Sequence, residues 1–267
     1  MSETRVLFLG DIIGRPGRRA VRELLPGLVL KHSPDMIIAN GENAAGGFGL
    51  TPEVYQELKK LNIDVITTGN HVWDRKEIVG CLKKDHADIL RPVNYPPAAP
   101  GTGSTIFTCP SGVKVGVVNL SGRVFMESLD CPFRTGMDVI KKLREATPAI
   151  VVDMHAETTS EKAAIGWYFD GQVSAVIGTH THVQTSDERI LHKGTAFITD
   201  AGMTGPVDSV IGMRKEKIIE GFLTEMPTRF EVASKDLELQ GVLVTLRSED
   251  GKAKGIERIR LKLGGEL

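Results

Sequence analysis

The chain has few cysteines, no excess of charge and no long apolar run, and each shortage removes a class of protein. Its three cysteines, Cys81, Cys109 and Cys131, are odd in number and scattered over 267 residues. They argue against a disulfide framework or a thiolate zinc site and suit reduced thiols in a cytoplasm. The formal net charge is -1. That removes a broad basic surface for stable binding of long nucleic acid, while a local phosphate site stays open. No apolar run approaches the roughly 20 residues of a membrane span, and Met1-Ser-Glu-Thr-Arg5 lacks the basic-then-apolar pattern of a signal peptide. A cytoplasmic location without a membrane partner is therefore expected. There is no internal repeat and no low-complexity segment. What is present is an ordinary globular composition, 41% hydrophobic and 25% charged, and a length that fits one large α/β domain over 1–267.

Short apolar runs bounded by glycine or turn residues predict buried strands at Arg5–Leu9, Met36–Ala39, Asp64–Thr67, Ala149–Asp153 and Val173–Ile177. Helices fall between them. One starts near Arg15 with Val21, Leu24, Leu25 and Leu28 on its apolar face, and Pro26 is expected to kink or end it. A second has Thr51 as N-cap and Pro52 in its first turn, with Val54, Tyr55, Leu58 and Leu61 inward. Others are expected near Asp138–Glu145 and after Ser160, which is expected to cap a helix carrying Ala163, Ala164, Trp167 and Tyr168. Hairpins are expected at Thr105–Asn119, at Ile190–Ile198 and at Leu237–Leu263, and Pro92–Gly103 reads as loop. The stretch 203–233 is irregular and reads as a cap or interface excursion. Strand–helix alternation followed by hairpins implies a mixed sheet, or two stacked sheets flanked by helices.

The chemistry gathers where the strands end. Gly178-Thr-His-Thr-His182 follows an apolar run, and if it stays extended both imidazoles point to one side. Asp11, Glu42 with Asn43, Asn70 with His71, and His155 follow other strands. In α/β sheets these C-terminal ends form the binding edge. Each residue also has a plain reading: Asp11 as a helix cap, Glu42 as a loop charge, Asn43 and Asn70 as turn residues, His155 as a core histidine, His71 packed on Trp73. Their succession favours a shared site. Carboxylate, amide and imidazole donors suit Mn, Fe, Zn or Ni. Seven of them exceed the needs of one four-coordinate ion and suit two ions about 3.5–4 Å apart sharing a carboxylate, the arrangement that clamps a phosphoryl displacement. Asp153, Glu157, Asp187 and Asp200 lie near the same edge as supporting or structural groups. His32, His86 and His192 read as surface residues. Gly46-Gly-Phe-Gly49 is a weak phosphate-loop candidate.

Gly10-Asp11, Gly41-Glu-Asn43, Gly69-Asn-His71, His155 and Gly178-Thr-His-Thr-His182 resemble the ordered motifs of calcineurin-like metallophosphoesterases. Longer runs, among them His155-Ala-Glu-Thr-Thr-Ser-Glu-Lys162 and Thr199-Asp-Ala-Gly-Met-Thr-Gly-Pro206, resemble the bacterial YmdB-like phosphodiesterase branch. The broader superfamily has a histidine where Ile13 stands and an aspartate where Glu42 stands; both departures match that branch. The resemblance implies an α/β fold, a four-layer αββα metallophosphoesterase sandwich with two mixed sheets. It implies two divalent or mixed-valence transition metals, Fe or Mn first and Zn as an alternative. One metal would take Asp11, Glu42, Asn43 and His182; the other would take Glu42, Asn70, His155 and His180. A metal-bridging hydroxide would attack, and His71 would serve the leaving oxygen as the catalytic group. The implied reaction is phosphodiester hydrolysis, with 2′,3′-cyclic nucleotides as substrate class, in a homo-oligomer. Two alternatives stand beside it: a phosphomonoesterase or nucleotidase on the same centre, and a non-catalytic metal-binding regulator of RNA metabolism.

Overall fold

A computed structural model describes residues 2–83 and 88–265. Five strands come first: β1 Glu3–Leu9, β2 Asp11–Ile12, β3 Met36–Asn40, β4 Val65–Thr67 and β5 Ile89–Leu90. Six follow: β6 Ser104–Thr108, β7 Lys114–Ser121, β8 Ile150–His155, β9 Ala175–Thr179, β10 Arg189–Ile190 and β11 Ala196–Ile198. The last three are β12 Met203–Pro206, β13 Leu237–Arg247 and β14 Ala253–Lys262. The helices are α1 Gly14–His32, α2 Pro52–Lys60, α3 Val79–Leu82, α4 Pro132–Arg144, α5 Thr159–Tyr168 and α6 Lys215–Thr224.

The first and last groups of strands form one mixed sheet, and β6 to β11 form a second. Within the first, β1, β3, β4 and β5 run parallel, and β13 lies antiparallel against β1. Within the second, β7, β8, β9 and β11 run parallel between antiparallel β6 and β10. Three apolar layers separate four layers of structure. Val6, Phe8, Ile38, Val117, Val151 and Ile177 are among the residues packed between the sheets. Leu7, Ile37 and Leu239 face helices α1 and α2, and Val118, Val152 and Val176 face α4 and α5. The parallel strands are buried on both faces, which is why they read as continuous apolar runs instead of alternating ones. The result is an αββα sandwich of two mixed sheets.

Three local expectations need correction. Helix α1 runs through Pro26 to His32. Pro26 and Arg22 are both exposed, so the carbonyl that loses its helical donor faces water, and a proline there costs less than at a buried turn. Ser160 lies inside α5, whose N-cap is Thr158. The buried side of α5 is Glu161, Lys162, Ile165 and Gly166, while Trp167 and Tyr168 stay half exposed. The segment expected from 203 as an excursion begins inside the first sheet, where β12 pairs with β2 and β13. Only 207–233 stands apart from the strands, and α6 within it buries none of its side chains. Thr51 does cap α2, its hydroxyl accepting from Val54 N at 3.3 Å. His32 closes α1 half-buried and His192 is exposed; His86 lies outside the described residues. The three cysteines are free thiols. Among the described residues no helix is long and apolar enough to cross a membrane.

Candidate metal centre

Both sheets deliver their parallel strand ends to one edge. Paired registers set the depth: Leu9 lies opposite Ala39, Asn40 opposite Thr67, and His155 opposite Thr179. The strand ends and the segments that follow them bring together all eight residues singled out above. Asp11, Glu42, Asn43 and His155 are buried and Asn70 is partly exposed; His71, His180 and His182, also partly exposed, line a common cavity.

The donors fall into two groups that share Glu42. In one, His155 Nε2 lies 2.9 Å from Glu42 Oε1, 3.0 Å from Asn70 Oδ1 and 3.0 Å from His180 Nδ1. One ligand atom each from Glu42, His155 and His180 lie within 4.8 Å of one another, close enough to hold one ion. In the other, Asn43 Nδ2 lies 3.3 Å from Glu42 Oε1 and 3.2 Å from His182 Nε2, and His182 Nε2 lies 3.7 Å from Asp11 Oδ1. The extended Thr179–His182 expected from the sequence is not what forms. Strand β9 ends at Thr179, and His180 and His182 take φ of 96° and 64°. These left-handed conformations cost side-chain-bearing residues energy. They turn the two imidazoles into different donor groups instead of along one side.

Each of the three ligand rings is held by its other nitrogen. His182 Nδ1 donates to Ile211 O at 2.9 Å. His155 Nδ1 donates to Thr179 Oγ1 at 2.8 Å, and that hydroxyl donates to Asp153 Oδ1 at 2.7 Å. Asp153 also accepts from Thr67 Oγ1 and from Asn40 Nδ2. His180 Nε2 meets Glu157 Oε2 at 3.1 Å. Such partners fix the tautomer that points a lone pair into the site. His71 sits over the cluster. Its backbone N–H donates to Glu42 Oε2 at 3.2 Å, its Nδ1 meets Asp74 Oδ2 at 2.9 Å, and its ring packs edge-on against Phe48 with centroids 5.1 Å apart. Trp73, its sequence-level alternative, packs on Tyr95 instead. Gly69 is required here: a Cβ would come within 2.1 Å of His155 Cδ2 and 2.4 Å of Glu42 Oε2.

The electrostatics call for positive charge. Burial alone would raise Asp11 and Glu42, yet the nearby histidines, His182 and His155 respectively, hold both below the usual carboxylate range. Burial lowers His155, but Glu42, Asp11 and Asp153 outweigh it and push it up to about 9. Burial raises Asp153 to about 6, and burial with the neighbouring His155 drives His180 down to about 3. Asp11 Oδ1 is buried with no hydrogen-bond partner among the described residues. Its nearest cationic group is His182 Nε2 at 3.7 Å, and a buried carboxylate oxygen without a hydrogen bond is costly unless something cationic meets it closely. With amide and imidazole donors aimed at the same space, the residues fit divalent transition ions.

Sequence reasoning named Asp153, Glu157 and Asp200 as supporting groups and passed over the residues that pair with Asp153 and Asp200, as well as Asp74. Lys162 Nζ bonds Asp200 Oδ2 at 2.7 Å, both side chains being buried. Asp200 also accepts from Thr181 N and Oγ1 at 3.1 and 2.6 Å, so the pair holds the turn between His180 and His182. Thr67 and Thr179 lie in strands, and Asp74 at i+3 from His71. The signals available were polar residues inside apolar runs and the His-x-x-Asp spacing. Asp187 takes a structural part, accepting from Thr199. The glycine loop has a packing reason: a Cβ on Gly47 would reach Val232 at 2.8 Å and one on Gly49 would reach Arg75 at 2.6 Å.

Known proteins agree with this architecture. The model of a family described as YmdB-like protein matches residues 7–259. A Bacillus subtilis protein named 2′,3′-cyclic-nucleotide 2′-phosphodiesterase is 49% identical over 255 residues, covering 96% of each chain. A crystal structure of a hypothetical protein from Thermus thermophilus is 40% identical with a TM-score of 0.90, over 97% of this chain and 99% of that one. A Mycoplasma pneumoniae structure described as a novel phosphatase is 35% identical with a TM-score of 0.90, over 98% of this chain and 94% of that one. The chain belongs to the YmdB-like family.

Proposed function

We infer that this chain is a phosphoric ester hydrolase, and more narrowly a di-metal phosphodiesterase acting on 2′,3′-cyclic nucleotides. The observation that carries the reading is the pair of donor groups sharing buried Glu42, with Asp11 Oδ1 left without a hydrogen bond beside them. The name of the Bacillus relative supports the substrate class. Asp11, Glu42, Asn43 and His182 would hold one ion, and Glu42, Asn70, His155 and His180 the other, with Fe or Mn suited to the thiolate-free set. Such ions supply Lewis acidity at the phosphoryl oxygens and lower the pKa of water. The protein's own part is positional. Glu42 would carry charge to both ions, while Asp153 acts through Thr179 to orient His155, and Asp74 orients His71. His71 Nε2, the ring nitrogen that Asp74 leaves available, holds the proton that the leaving O2′ takes as the P–O2′ bond breaks. Water adds to phosphorus, and the product is a nucleoside 3′-phosphate. Copies of the chain would associate through Ile219 and Leu223, exposed on the flank of α6 that does not line the cavity.

Metal content by elemental analysis, paired with turnover of a cyclic nucleotide before and after chelation, tests the reading. About two ions per chain and chelator-sensitive turnover are expected. Glu42→Ala should lose both ions together. A folded Glu42→Ala protein with full metal content and turnover would overturn the shared-ligand role.

A further inference from the structure

The cavity over the metal-ligand cluster is lined by two unlike sets of side chains. Asn43, Glu157, His180 and His182 are polar; Phe48, Met213, Ile218, Phe222, Met226 and Phe230 are apolar. Aromatic contacts bridge them. The His71 ring meets Phe48, and the Phe48 centroid lies 6.4 Å from that of Phe230 at an interplanar angle of 36°. The volume, about 760 Å³, falls in the range of small-ligand sites. No lysine or arginine is among the described residues that line it, whereas Glu42, Glu157 and Glu225 are. Apart from the proposed ions and the histidines beside them, the lining offers no cation to an arm carrying further phosphates. An uncharged aromatic arm would meet rings. Phe230 is 54% exposed in the free chain, apolar area that such an arm would cover.

We propose that Phe48 and Phe230 form an aryl subsite that holds the nucleobase of the substrate by stacking, and that the cavity takes nucleotides bearing a single phosphate. This rests on the phosphodiesterase reading and adds a site for the unreacting arm of the ester. Aromatic faces stack on every base, so purines and pyrimidines both enter. The subsite is assembled from two distant stretches, the glycine loop and the 207–233 excursion. Gly47 makes their approach possible, since a Cβ there would strike Val232 at 2.8 Å and Met213 at 3.1 Å.

The test compares metal-verified wild type and Phe230→Ala on a 2′,3′-cyclic nucleotide and on ethylene cyclic phosphate, which keeps the cyclic diester and lacks the base. The ratio of kcat/KM for the nucleotide to that for the baseless ester should fall roughly 10-fold or more, through KM. Calorimetric binding of a free nucleoside, which needs no turnover, should weaken by a similar factor in both Phe48→Ala and Phe230→Ala. In wild type, a 5′-triphosphate on the cyclic nucleotide should lower kcat/KM. An unchanged ratio with unchanged nucleoside binding overturns the subsite. Dissociation of an assembly by Phe230→Ala with the ratio unchanged gives this wall to a second copy of the chain and equally overturns it. A metal-loaded wild type that hydrolyses neither ester, yet binds nucleoside through Phe230, overturns the phosphodiesterase reading and leaves the subsite standing.

Discussion

Replacing Lys162 with methionine should destabilise the chain while leaving every proposed metal ligand in place. The lysine and Asp200 are 1% and 0% exposed at their side chains, so the ammonium is the countercharge of a carboxylate that water does not reach. Breaking such a pair by removing one partner costs about 3–5 kcal/mol, because the other charge stays buried. Asp200 keeps three donors, Thr181 N, Thr181 Oγ1 and Gly202 N, which continue to solvate the anion. That argues for the lower end, about 3 kcal/mol. For a chain of this size, such a loss lowers Tm by roughly 6–12 °C. Methionine matches the lysine stem in length, so cavity formation adds little. The double variant Lys162→Met with Asp200→Leu, which leaves no unpaired charge, should regain part of the loss. Calorimetry of the metal-free proteins measures the effect without contribution from bound ions. A Tm within about 1 °C of wild type, equivalent to roughly half a kcal/mol or less, would refute the claim that the pair is dry and mutually dependent. Thr181 stands between His180 and His182, so the single variant should also bind metal more weakly.

Other consequences follow from the same contacts. Asp153 faces only donors, from Thr67, Asn40 and Thr179; Asp153→Asn would set an NH2 against one of them and should weaken metal affinity about 10- to 100-fold, read by competition with a chelator of known affinity. Gly69→Ala should empty the centre, since its Cβ would overlap His155 and Glu42; elemental analysis showing full metal content would contradict the geometry. His71→Ala should retain metal and lose roughly 10²- to 10⁴-fold in kcat; metal loss would make His71 a ligand. Asp74→Ala should reduce kcat by less than His71→Ala, because it frees the ring's orientation and leaves the imidazole present.

The candidate ligands were legible because of where a buried parallel strand must stop. Runs such as Met36–Ala39 and Val173–Ile177 can only be interior, and the first polar residues after them emerge at one edge. Motif resemblance then sorted those residues into two groups. The misreadings have equally local causes. Pro26 tells nothing about which side of its helix faces water. The apolar residues of α5 hide a charged buried face, because Lys162 is inside only by virtue of Asp200, 38 residues later. The left-handed φ at His180 and His182 leaves no mark in residue type, since neither position is glycine.

By itself the sequence determined the longer buried strands and the hairpins, though not the two- to four-residue β2, β5 and β12, together with the mixed character of the sheets and the polar residues that follow the strand ends. These follow from apolar periodicity and turn chemistry within windows of ten to twenty residues. Only the tertiary structure decided how those side chains combine. Asn40 and Asp153 are 113 residues apart and bond across the two sheets. The splay of His180 and His182 depends on Asp11 and Ile211, and the aromatic wall exists only where 207–233 returns over the glycine loop. Such contacts depend on how two sheets and an excursion pack in three dimensions, and no local pattern encodes that.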